Sequence, residues 1–101
     1  MAKNISEESI KNYTEKLNKK GEDGFYRYLI AIGIKRSVNI DHPENEFLEL
    51  ADAFLLLFRR TGEQLYDKFY ALFRRAAHKL YRQFNKSNVK DKVNNKFLRA
   101  V

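Results

Sequence analysis

FLELADAFLLLFRRTGEQLYDKFYALFRRAAHKLYRQF, residues 47–84, is the stretch whose reading decides the fold of this 101-residue chain. At 100° per residue Phe47, Ala51, Phe54 and Phe58 fall in the middle of one apolar arc. Leu50 and Leu57 widen it on one side, Leu48 and Leu55 on the other. An arc that wide meets neighbours on more than one side, so a central helix is expected at about 43–60. Pro43 suits its first position, where no N–H is needed, and Glu44 and Glu46 suit the positive end of its dipole. A helix unbroken through residue 61 would exceed 40 residues, far beyond the usual ~10–14. Gly62 is therefore read as a break, with Thr61 as cap and Gln64 as its partner in a capping box. The following helix, 62–85, turns Leu65, Phe69, Leu72, Phe73, Ala76, Leu80 and Phe84 inward. Leu57-Phe58-Arg59-Arg60 recurs as Leu72-Phe73-Arg74-Arg75, but the flanking residues do not align. The repeat is read as a product of helical spacing rather than duplication.

Working toward the N-terminus, Ser37 to His42 is a loop. Phe25–Arg36 (FYRYLIAIGIKR) fits two periods. Phe25, Tyr28, Leu29 and Ile32 share a helical face, while Tyr26, Tyr28, Ile30, Ile32 and Ile34 share a strand face. No second strand of comparable quality exists to pair with it, so it is read as a helix that Gly33 ends or bends. Gly21–Gly24 reads as a turn. Ile5–Lys20 is an amphipathic helix with Ser6 as N-cap, Glu7 and Glu8 in the first turn, and Ile10, Tyr13 and Leu17 on one face. Gly21 serves as its left-handed terminator. Toward the C-terminus Ser87 caps a last helix, with Val89, Val93 and Phe97 on one stripe and Lys90, Lys92, Lys96 and Arg99 elsewhere.

These segments make an all-α single domain over 1–101, a bundle of four to five helices around the helix at 43–60. The apolar fraction, 44% with fourteen Phe and Tyr, is enough for a buried core. Without cysteine there is no disulfide and no thiolate-bound metal, which suits a reducing cytoplasm. The N-terminus has no apolar secretory core, and no apolar run approaches the ~20 residues that span a bilayer.

Charge is unevenly spread. Residues 1–52 carry a net −2 and residues 53–101 a net +9, giving the formal +7 of the whole. A basic half-chain attracts polyanions or acidic protein faces, although a solubilising surface has the same composition. On helix 62–85, Lys68, Arg75 and Arg82 are seven apart and stack on one flank with Lys79 close by, while Arg74 and His78 lie further round. This ridge suits spaced phosphates. Tyr66, Tyr70 and Tyr81 border the core face on the other side, where phenol rings stack on bases or enter an interface. The plainer alternative is that the tyrosines fill the core edge and the arginine stems cover apolar surface.

Other chemistries find little support. Leu29–Ile40 lacks the recognition helix of a helix-turn-helix. Asp41-His42-Pro43-Glu44 reads as a helix entry rather than a metal site. The residue three before His78 is Arg75, not the Glu of a di-iron bundle. No nucleophile–base pair, phosphate loop or carboxylate pair stands out, so no enzyme, cofactor or small-molecule substrate is expected. The expectation is a cytoplasmic, non-enzymatic regulatory or adaptor protein. It binds a macromolecule through its basic C-terminal half, either an acidic protein surface or itself as a homodimer. The alternative is sequence-independent nucleic-acid binding along the flank of helix 62–85.

Overall fold

Three helices form, α1 Glu7–Arg36, α2 Pro43–Thr61 and α3 Gln64–Ala100, with no strand among the described residues. The computed structural model describes the backbone of residues 5–100 and the side chains of residues 5–84. Residues 25–36 are helical, which resolves the two periods in favour of 3.6. The count of three replaces the expected four to five, for two local reasons.

The first reason is Gly21. It sits at φ 76°, ψ 174° inside α1, a backbone region that only glycine occupies without strain. In a straight helix the twelve residues from Tyr13 to Phe25 would span about 18 Å. Their rings lie 6.3 Å apart. The chain therefore reverses at Gly21, and residues 7–20 lie back over residues 22–36 as two arms of one element. The expected turn at 21–24 shrinks to one residue, since 22–24 are already helical. Ser6 caps the first arm as the sequence indicates, its side chain accepting from Ser9 N at 3.1 Å.

The second reason is the length of α3. The expected helix start at Ser87 does not occur, because α3 runs without interruption to Ala100. No Gly or Pro stands between Gly62 and the C-terminus, so nothing in this stretch forces a break, and Asn and Ser cost a helix interior only tenths of a kcal/mol. The Val89, Val93 and Phe97 stripe lies outside the described side chains.

The break between α2 and α3 is at Gly62, which is left-handed (φ 72°) and donates its N–H to Phe58 O at 2.7 Å. No capping box forms there. Thr61 is the last residue of α2, and its hydroxyl donates to Leu57 O and accepts from Glu63 N. That hydroxyl is thus shared between the last turn of α2 and the Glu63 N–H of the link, and α3 starts only at Gln64.

Four rings form the centre, with Phe25, Phe54, Phe69 and Phe73 all fully buried. Phe54 lies 4.8 Å from Phe69 and 5.6 Å from Phe73. Tyr13 reaches all four rings, at 5.2–6.3 Å. Burying one such ring stabilises the fold by about 1.5–3 kcal/mol. Leu29, Phe47, Leu72, Ala76 and Leu80 complete one continuous core. The hub of the packing is α3 rather than the expected α2. α3 packs against both other helices, whereas α1 and α2 meet sparsely. The wide arc of α2 is the reason: Leu48, Leu50 and Leu57 are only partly buried and Leu56 is exposed.

The second arm of α1 runs parallel to α3, with Glu22 beside Lys68 and Gly33 beside Leu80. A Cβ on Gly33 would lie 2.3 Å from Leu80 Cδ1. Gly33 therefore permits close approach of the two helices. It neither ends nor bends α1, which continues to Arg36 with Ser37 N donating to Gly33 O.

Candidate functional site

The basic residues of α3 divide into two groups by the helix each one faces. Toward α1, Lys68 Nζ is 3.7 Å from Glu22 Oε2, a solvent-exposed pair of small energetic consequence. One turn or two further on, the Arg75 guanidinium lies 4.4 Å over the ring of Tyr26. Lys79 and Arg82 continue this flank at four and seven residues from Arg75. Toward α2, Arg74 donates to Tyr70 Oη and its guanidinium lies 5.8 Å from that ring. His78 and Arg74 line a cleft of about 300 Å³ together with Tyr70, Asp52, Leu48 and Ala51.

The six basic positions are thus all exposed, as their spacing indicates, but they are not equivalent. Lys68, Arg74 and Arg75 already have intramolecular partners. His78, Lys79 and Arg82 make no ion pair, hydrogen bond or ring contact within the described residues. The free charge therefore lies toward the far end of the described part of α3.

The three tyrosines also separate. Tyr66 is half-buried and stacks on Phe54 at 6.2 Å, filling the core edge. Tyr70 is half-buried against the core and held by Arg74. Tyr81 alone is presented to solvent, 56% exposed. Tyr81, seven residues from Arg74, lies on the Arg74 and His78 side of α3, about 160° round the helix from Lys79, and Tyr66 stays within the fold.

Sequence reasoning missed three features. Tyr26 belongs to the basic flank because the second arm of α1 is parallel to α3, a tertiary fact with no local signal. Glu44 is almost wholly buried at the start of α2; its Oε1 lies 2.8 Å from His42 Nδ1, and its Oε2 is buried without a partner. The third is a cleft of about 450 Å³ between the arms of α1 and the start of α2. Tyr13, Tyr28, Arg36 and Glu46 line it over Phe47 and Phe73. Burial pushes the Tyr13 phenol above its ordinary range, and the nearby Tyr28 and Glu46 add to the shift. That phenol keeps its proton at neutral pH and is not a base. Arg36 Nη2 bridges to Glu46 Oε1 at 2.8 Å across the same cleft, both side chains well exposed.

No helix among the described residues is long and apolar enough to cross a membrane. No protein-family model, curated protein or solved structure matches the chain.

Proposed function

We propose that this chain is a small non-enzymatic regulatory or adaptor protein that binds another macromolecule through its basic C-terminal half. The partner is a protein with an acidic face or a second copy of the chain. The observation that supports this reading is that exposed His78, Lys79 and Arg82 have no partner among the described residues. Charged side chains that serve only the fold find partners within it, as Lys68 and Arg75 do. These find none among the described residues, and on the His78 side of the same helix Tyr81 is exposed, an aromatic residue type favoured at interface centres. The reading is of a cytoplasmic protein, in keeping with a chain free of cysteine.

The second reading is sequence-independent binding of nucleic acid along the same flank. It is favoured by one property of the sequence: no acidic residue occurs between Asp67 and Asp91. A random duplex titrated with salt separates the two. If about three phosphates are neutralised, affinity falls roughly 40-fold between about 50 and 200 mM salt. Absence of binding at the lower salt removes nucleic acid as the partner. Sedimentation of the protein alone decides self-association, and a monomer at high concentration leaves an acidic protein as the partner.

A further inference from the structure

Tyr26, Ile30, Ile34 and Val38 follow one another at intervals of four and so lie along one flank of α1. The winding continues past Arg36, since Val38 N donates to Lys35 O and Asn39 N to Arg36 O. Exposure climbs along the row. Tyr26 and Ile30 are half-buried, Ile34 is 43% exposed and Val38 82%. Ile34 and Val38 thus leave β-branched apolar surface in water that the fold does not use. The row has a cationic border. Arg75 sits over Tyr26, and Lys79 and Arg82 extend from it along the parallel α3. On the outer side Arg27 is exposed. Two acidic residues, Glu22 and Asp67, lie at the opposite end of the seam, around Lys68.

We propose that this seam is a docking groove for an acidic amphipathic helix of a partner protein. The apolar face of that helix lies on Ile30, Ile34 and Val38, and its carboxylates face Lys79 and Arg82. The inference rests on the reading that the basic half binds a macromolecule, and it names the kind. Twelve residues of α1, about 18 Å, match roughly three turns of a partner helix. A phosphate backbone satisfies the cations but sets no apolar group against Ile34 and Val38. A helix with Leu on one face and Glu or Asp on its flanks satisfies both.

The test uses the full chain and a displayed library of about 18-residue helical peptides, with Leu fixed at three- and four-residue spacing and the other positions randomised. Recovered peptides are expected to be enriched in Glu and Asp at the positions flanking the Leu stripe. Their affinity is expected to fall by about tenfold or more in Ile34→Ser and in Lys79→Glu/Arg82→Glu, and to be unchanged in Leu56→Ser, an exposed apolar site elsewhere. All these positions are exposed, so the variants keep the fold. No recovered peptides, no acidic enrichment, or binding indifferent to Ile34→Ser overturns the groove. A random duplex and phosphatidylserine-containing vesicles run in parallel. Duplex binding that Lys79→Glu/Arg82→Glu abolishes and Ile34→Ser leaves intact overturns the groove while sparing a basic binding surface. Vesicle binding lost in Ile34→Ser assigns the strip to a membrane and also overturns it. Absence of binding to peptide, duplex, vesicle and self removes the proposed function with it.

Discussion

At position 33 helix propensity and packing pull in opposite directions. Alanine there gains roughly 1 kcal/mol of propensity, but its methyl would lie 2.3 Å from Leu80 Cδ1 and 3.0 Å from Cδ2, on a side chain with no room to move. Overpacking of this kind costs about 1–3 kcal/mol, so Gly33→Ala is expected to be net destabilising in urea unfolding. Glu44 presents the reverse case. Its Oε2 is buried without a partner, and His42, its one partner, is largely in water. Glu44→Leu, similar in volume, is expected to raise the stability by about 1 kcal/mol, read as a higher urea midpoint at unchanged slope. Tyr13 supplies a pH dependence. Burial raises its pKa, so the folded state holds the phenolic proton to higher pH than the unfolded chain, which releases it near pH 10. The folded state is therefore at no disadvantage below about pH 10 and loses stability as the pH climbs through the folded value. Tyr13→Phe removes that loss, so the stability gap between wild type and variant is expected to shift in favour of the variant across alkaline pH. At this scale the inward-facing residues of α3 were legible from their period, and Ala77 alone joined them unannounced. The burial of Glu44 was not, because an acidic first turn looks the same in sequence whether water or a neighbouring helix covers it.

Among the elements, the hairpin at Gly21 is the one whose geometry a single substitution tests. Gly21→Ala places a Cβ at φ 76°, ψ 174°, with open space around it, so the penalty is conformational alone. It is expected to cost about 1–3 kcal/mol. If thermal unfolding showed no loss, the two arms of α1 would not be joined as described. That Gly21 is left-handed could be read from its place after a basic helix end. That one residue suffices to reverse the chain could not, because it depends on Tyr13 finding Phe25, Phe69 and Phe73 on the far side. The continuity of α3 was equally hidden. Ser87 has the chemistry of a cap, but a cap residue starts a helix only where something has ended the previous one.

For the molecule as a whole, the split of charge between −2 and +9 halves was plain in the sequence. Its use was not, because the partners of Lys68 and Arg75 come from α1, more than 40 residues away in the chain. Lys79→Glu/Arg82→Glu is expected to abolish macromolecular binding while shifting the melting temperature little, whereas Lys68→Glu is expected to weaken binding less. Titration of the three proteins against one partner checks the order. Tyr13 has a consequence at this scale as well. The chain contains no tryptophan, so its near-ultraviolet signal comes from tyrosine and phenylalanine. One tyrosine, on the first arm of α1, is held edge-on or tilted among four phenylalanines drawn from the second arm of α1, from α2 and from α3. The protein therefore carries a built-in optical gauge of its own assembly, a chiral ring signal that exists only while all three helices are together.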